Sequence, residues 1–278
     1  MALGLAIIFG QMGVINMAHG EFMILGAYVT YIVSNVFEAY LPALFGMYFF
    51  VAMFLAFIAS GALGLFIEWS MIRHLYKRPL DTLLATWGLS LILQQVYRSV
   101  FGAREVGVSI PDWMMGSLPV TDMIEVPING IFVMILAVSI SFGVWILMFR
   151  STWGRQVRAI NQNRVMAGAV GINTEWTDRL TFGIGCGVAG VAGSAFTMIG
   201  STGPTAGQLY IVDTFLVVVF GGAASLLGTI ASAFSISQAQ SIMEFFLSGS
   251  MAKVITLLVV VGILMIRPQG LFALKLRK

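Results

Sequence analysis

Along the chain, long apolar runs alternate with short polar segments. The runs cover 1–18, 21–36, 43–68, 83–101, 128–149, 180–199, 210–230 and 252–267, with a shorter one at 234–247. A helix needs about 20 mostly apolar residues to cross a bilayer. The pattern therefore predicts an all-α polytopic membrane protein with about eight transmembrane helices, some broken or short. Residues 1–278 read as one transmembrane domain without a visible internal repeat. The first run begins at Met1 and contains Gly4, Gly10 and Gly13. A break near Gly10 would leave too few residues ahead of it to cross. That helix is then either short by design or lacks part of its length.

Composition agrees with lipid as the main solvent. The chain is 59% hydrophobic and 10% charged, whereas soluble domains carry about 45–50% apolar and about 25% charged residues. The mean hydropathy is +0.94. A pI near 9.2 could suggest nucleic acid, but the placement of charge argues for membrane orientation instead. Basic residues gather in loop 69–82 (Arg73, Lys77, Arg78), in segment 150–179 (Arg150, Arg155, Arg158, Arg164, Arg179) and at the C-terminus (Arg267, Lys275, Arg277, Lys278). Glu38, Glu105, Asp112, Asp122 and Glu125 fall on the other side. Lys and Arg mark the cytoplasmic side of membrane proteins, which places segment 150–179 and the C-terminus there. Segment 102–127, with three prolines and Trp113, reads as an ordered external loop near the membrane surface.

Several chemistries lack their residues. No G-x-x-x-x-G-K-[ST] loop is present, so nucleotide hydrolysis by that route is not expected. His19 and His74 are the two histidines and Cys186 is the lone cysteine, which leaves no multi-histidine metal site and no intrachain disulfide. No nucleophile–base set follows from the spacing, so no enzyme is expected.

Polar residues at membrane depth mark a pathway or a paired structural contact. The densest group is Asn16, His19 and Glu21, flanked by glycines between two apolar runs. A broken helix here would offer backbone groups to a solute; alternatively, this is an interfacial turn with Glu21 favoured in the first turn of the next helix. In 83–101, Thr86, Gln94, Gln95 and Arg98 give one helix a polar face, either toward a pathway or toward neighbouring helices. Gln95 reads as structural glue, and Gln94 is left open. Asp213 follows a glycine-rich loop, where the macrodipole favours an acid in a first helical turn; a pathway role is the other reading. Glu244 lies in an apolar helix and needs a partner or a water-lined face. The glycines from Gly183 to Gly193, and Gly221, Gly222 and Gly228, read as helix-packing positions.

Segment 150–178 is too polar to span. Val157, Ile160, Val165 and Met166, set against Arg155, Arg158 and Asn161, make a short amphipathic helix, which Gly168 and Gly171 punctuate. It suits either a soluble partner or lipid headgroups.

Gly10-Gln-Met-Gly-Val-Ile-Asn-Met-Ala-His-Gly-Glu-Phe-Met-Ile-Leu-Gly-Ala-Tyr28 resembles the opening motif of permeases in the branched-chain amino-acid ABC importer family. Arg155–Ile172 resembles that family's coupling loop, the VVVFGGAASLLGT run its glycine-rich helix, and Arg267-Pro-Gln-Gly-Leu-Phe272 its tail. Arg78–Gln95, Gln208–Phe215 and the tail are similar to the urea branch of the family. The resemblance implies a permease in a bacterial inner membrane, with a related second permease, two ATPase subunits and a periplasmic solute-binding protein as partners. It implies no cofactor in this chain, ATP and magnesium being held by the ATPase. Arg155, Arg158, Asn161, Gly171 and Ile172 would lie at the ATPase contact. Urea is the implied solute; branched-chain amino acids or short amides are the alternatives within the family. A free-standing channel or secondary carrier is the alternative from another class. Asn16, His19, Glu21, Thr86, Gln94, Asp213 and Glu244 are the candidate pathway residues.

Overall fold

The computed structural model describes residues 1–76, 78–121, 124–267 and 270–272. Lys77, Asp122, Lys275, Arg277 and Lys278, and part of the C-terminal motif, lie outside the described residues. Eleven helices follow one another: α1 (Ala2–Met12), α2 (His19–Tyr40), α3 (Tyr48–Ser70), α4 (Pro79–Phe101), α5 (Ile128–Arg150), α6 (Thr152–Gln162), α7 (Arg164–Ala169), α8 (Thr174–Phe196), α9 (Ala206–Gly221), α10 (Leu226–Phe246) and α11 (Gly249–Ile266). A two-stranded hairpin, β1 (Ser117–Thr121) and β2 (Ile124–Pro127), lies between α4 and α5.

Among the described residues, five segments are long and apolar enough to cross a membrane: His19–Tyr40, Pro42–His74, Ile128–Arg150, Thr174–Phe196 and Gly249–Ile266. Helices α4 and α10 have the length but carry more polar residues, and α9 is shorter. The apolar runs expected from the sequence thus mostly become helices, with α1 too short to count among the candidate spans and three boundaries redrawn. The 210–230 run is two helices, because Gly222 adopts φ +88° and Ser225 caps α10 by accepting from the Gly228 N–H. The 234–247 run is the second half of α10 and not a separate partial span. The break in the first run falls at Gly13 and not at Gly10. Gly13 takes φ +69° and closes α1 through its N–H to the Phe9 carbonyl, a left-handed cap that glycine adopts without Cβ penalty. Gly10 stays helical because it packs on the 223 backbone: a Cβ there would sit 1.8 Å from the Ala223 carbonyl oxygen.

Helices α2, α3 and α8 form the centre of the bundle. Lipid tails are as apolar as leucine, so close backbone approach and interhelical hydrogen bonds hold such helices together. A Cβ on Gly26 would lie 2.0 Å from the Gly190 carbonyl oxygen, and one on Gly193 1.8 Å from that of Met23. Gly64 meets the Cys186 side chain. Ser60 donates to the Phe22 carbonyl at 3.0 Å, and Thr30 to the Ser194 hydroxyl at 2.8 Å. The glycine-rich stretch of α8 is thus a helix-packing surface. Outward residues such as Phe54 and Ile58 of α3, Ile135, Val138 and Phe142 of α5, and Val254, Leu258 and Met265 of α11 are apolar and exposed, as lipid-facing positions should be.

The described residues of segment 102–127 are ordered, and more structured than a loop. Trp113 donates to the Gly46 carbonyl at 2.8 Å, Val106 bridges Thr202, and Met114 is buried. Both long basic loops gather at the opposite end of the bundle. There α6 and α7 form a pair of short helices joined at Asn163, where one expected amphipathic helix is in fact two. Each is capped by a side chain: Ser151 accepts from Gly154 N–H and Asn163 from Met166 N–H.

Candidate functional site: a polar seam at membrane depth

The chain turns at Gly13 and runs non-helically to Ala18 before α2 begins. By His19 it has returned to the level of Met1, whose carbonyl accepts from the His19 ring at 3.4 Å. The local geometry is common to both readings of this motif. The helix is broken, and Glu21 also stands in the first turn of α2, where the dipole favours it.

Against this break lies one face of α4. Thr82, Thr86, Ser90, Gln94 and Tyr97 are all buried and follow a spacing of about four residues, which on a helix is a single stripe. The outer face carries Leu84, Trp87, Leu91, Ile92 and Val96, all exposed. Helix α4 meets α2 and the segment before it through an aromatic cluster of Tyr28, Tyr97 and Phe101 and through a row of hydrogen bonds. The Met17 N–H donates to Thr86 Oγ1 at 3.1 Å. Ser90 and Gln94 donate to Glu21 Oε1 at 3.0 and 2.9 Å, and Tyr97 donates to the Glu21 carbonyl at 2.9 Å.

Glu21 is 1% exposed, and among the described residues no Lys or Arg pairs with it. Among the described residues its second carboxylate oxygen has no partner, nor do Asn16 Nδ2, His19 Nδ1 and the Tyr28 hydroxyl. Asn16 uses its oxygen to accept from the Ala18 N–H at 3.1 Å. Tyr28 stacks on Phe101 with ring centroids 4.0 Å apart and borders Tyr97. Buried polar atoms are nearly always satisfied, so a cluster of open donors and acceptors in lipid is a candidate solute contact. The arrangement offers acceptors and amide, hydroxyl and backbone donors, and it contains no cation.

The structure brings Asn16, Glu21, Thr86 and Gln94 together, with His19 at the edge. Asp213 and Glu244 do not join them. Asp213 is not in a first turn, since α9 already begins at Ala206; it lies mid-helix, half-exposed, 2.7 Å from Lys253 of α11. The capping reading of Asp213 is therefore replaced by an interhelical ion pair. Glu244 is exposed near the end of α10 and accepts from Gln240 at 3.0 Å. Gln95 and Arg98 are exposed. Ser90, Tyr97 and Tyr28 were not singled out from the sequence. The Thr82-Thr86-Ser90-Gln94 spacing was the signal for the first of these.

At the basic end, the amphipathic segment is moored to the bundle. Val157 and Ile160 are buried. Arg158 donates to the Met148 carbonyl and lies over the Phe149 ring. Asn161 donates to the Gly10 carbonyl and to Gln11, at 3.3 and 3.4 Å. Arg155 and Gly171 remain exposed, and Ile172 is half-buried. Gly171 adopts φ +89°, and a Cβ there would meet nothing within 4 Å. Substitution at Gly171 is therefore limited by backbone strain and not by room in this chain. Gly171→Asn is expected to keep thermal stability close to that of the unaltered protein. Gly171→Val is expected to lose about 1–2 kcal/mol, read as a fall in melting temperature.

An all-helical bundle with lipid-facing apolar surfaces, a broken first helix and a polar seam at depth has the build of a multi-pass membrane permease. The family model described as branched-chain amino acid transport system / permease component matches residues 1–266, and the chain belongs to that family. It is 28% identical to the high-affinity branched-chain amino acid transport system permease protein LivH of Salmonella typhimurium, over 98% of this chain and 89% of the relative. It is likewise 28% identical to BraD of Pseudomonas aeruginosa, a permease protein of the same description, over 98% and 90%. It is 26% identical to a probable branched-chain amino acid transport permease protein LivH of Methanocaldococcus jannaschii, over 100% and 89%. No solved structure matches the chain.

Proposed function

We propose that this chain is the membrane-spanning subunit of an ATP-driven importer, and that the seam between α2 and α4 is where a small neutral amide such as urea is handled. The observation that carries the reading is the buried Glu21 carboxylate, held by Ser90 and Gln94 and left with one open oxygen. Urea N–H groups suit that oxygen, and its carbonyl suits Asn16 Nδ2. Segment α6–α7 is read as the docking knob for an ATPase subunit on the cytoplasmic side of a bacterial inner membrane, with the C-terminus on the same side. A related second permease, a second ATPase subunit and a periplasmic binding protein complete the assembly. ATP and magnesium belong to the ATPase.

The names of the relatives favour a second solute, a branched-chain amino acid. The seam has groups for it too: the open Glu21 oxygen suits an α-ammonium, and the N-terminus of α2 at the break suits an α-carboxylate. Uptake of labelled urea and labelled leucine in cells with and without the chain separates the two. Urea uptake that depends on the chain, with leucine uptake unchanged, supports the amide. Leucine uptake that depends on the chain, with urea unchanged, replaces it with the amino acid.

A further inference from the structure

Helix α7 is short, and its apolar residues Val165 and Met166, with Val170 just after it, point away from the bundle, 81%, 59% and 73% exposed. On its inner side only Ala167 is buried. What ties it to the spans is a chain of polar contacts. Arg164, the first residue of α7, pairs with Asp178 of α8 at 2.5 Å; the Asp178 side chain is only 4% exposed. The same guanidinium lies 5.2 Å over the Tyr76 ring. The Tyr76 hydroxyl donates to Glu68 Oε1 at 2.7 Å, and Arg179 of α8 holds the other Glu68 oxygen at 3.2 Å. Glu68 ends α3 and is 1% exposed. Burial, with Asp178 and Glu68 close by, pushes the Tyr76 phenol far above its usual range, so the hydroxyl remains a donor at any working pH.

Two buried carboxylates at the ends of two adjacent spans are thus both answered by arginines, and one of these belongs to the protruding segment. Buried ion pairs are poor sources of net stability but strong determinants of register. Helices α3 and α8 pack closely along Gly61, Gly64, Gly183 and Gly187. We propose that Arg164, Asp178, Tyr76, Glu68 and Arg179 form a strut that transmits motion of α7 to the α3–α8 pair. These are positioning residues: none touches solute or nucleotide. The inference rests on the reading of α6–α7 as the ATPase docking segment.

The test uses the complete transporter with its ATPase subunits in liposomes, following labelled urea, or labelled leucine if that is what cells carrying the chain accumulate. Solute moved per ATP hydrolysed is measured for the unaltered chain, for Arg164→Gln, Asp178→Asn and Tyr76→Phe, and for the exchanged pair Arg164→Asp with Asp178→Arg. Val165→Cys, on the exposed side of α7, reports ATPase docking by cross-linking. The expected result is retained cross-linking and hydrolysis in the single variants, with solute per ATP lowered about tenfold. Tyr76→Phe, which keeps the ring and loses only the hydroxyl, should fall less, and the exchanged pair should recover part of the loss. Retained cross-linking with an unchanged ratio in Arg164→Gln, Asp178→Asn and Tyr76→Phe overturns the strut alone. No cross-link from Val165→Cys in the otherwise unaltered chain overturns the docking reading and the strut with it.

Discussion

Gly193→Val is expected to yield no folded protein in the membrane, and Gly26→Val the same. The Cβ of either variant would sit at or under 2.0 Å from a backbone carbonyl of the facing helix. Backbone cannot step aside as a flexible side chain does, so α2 and α8 would have to separate along their contact. Destabilisation above about 4 kcal/mol marks this kind of mechanism. Nothing else replaces the lost contact, because apolar surface released into lipid is not driven back together as it would be in water. Gly143 and Gly262 supply the contrast: nothing lies within 4 Å of a Cβ added to either. Gly143→Ala and Gly262→Ala should be neutral or slightly stabilising, since alanine is the better helix former. Size-exclusion profiles and melting temperatures of the detergent-extracted variants would distinguish the two groups. A monodisperse Gly193→Val protein with an unaltered melting temperature would disprove the α2–α8 packing.

Glu21→Gln and Glu21→Ala should part company. The amide keeps an oxygen for Ser90 and Gln94 and keeps the volume, so the protein should fold. The open oxygen is replaced by an NH2 that cannot accept from solute N–H groups; one lost hydrogen bond of about 0.5–1.5 kcal/mol should lower uptake by roughly twofold to tenfold. Glu21→Ala also leaves the Ser90 hydroxyl without its acceptor at membrane depth, at about 1–3 kcal/mol, while Gln94 keeps its bond to Ser90 at 3.0 Å. It should therefore reduce melting temperature as well as uptake. Uptake by folded Glu21→Gln at the unaltered rate would make the carboxylate a structural link between α2 and α4.

Much of the fold was legible because lipid imposes a coarse rule: apolar runs of sufficient length become helices. The rule fails where two helices share one apolar run. Residues 210–230 read as continuous because Gly222 to Ser225 form a tight turn with no charge to mark it. The break near the start was visible, but its position was not. Gly10 and Gly13 look alike in sequence; one packs against a neighbouring backbone and the other takes a left-handed conformation. Of the seam, Asn16, Glu21, Thr86 and Gln94 were readable as costly polar groups. Their convergence was not, since it depends on the rotation of α4 about its axis. That rotation puts Gln94 inside and Gln95 outside. Asp213 was misplaced for a related reason: a glycine-rich loop ahead of it suggested a helix start, whereas the helix had begun seven residues earlier, at Ala206. The arginine partners of Asp178 and Glu68 come from other helices, Arg164 of α7 and Arg179 of α8, and could not be paired by spacing.

The most direct measurement is flux of labelled urea and labelled leucine into liposomes that hold the chain with its permease and ATPase partners, or the chain alone. Uptake of one solute should appear only with the ATPase present and ATP supplied, and should vanish with ADP. Downhill passage of either solute through the chain alone, at a rate indifferent to ATP, would contradict an ATP-driven permease and leave a channel or secondary carrier in its place.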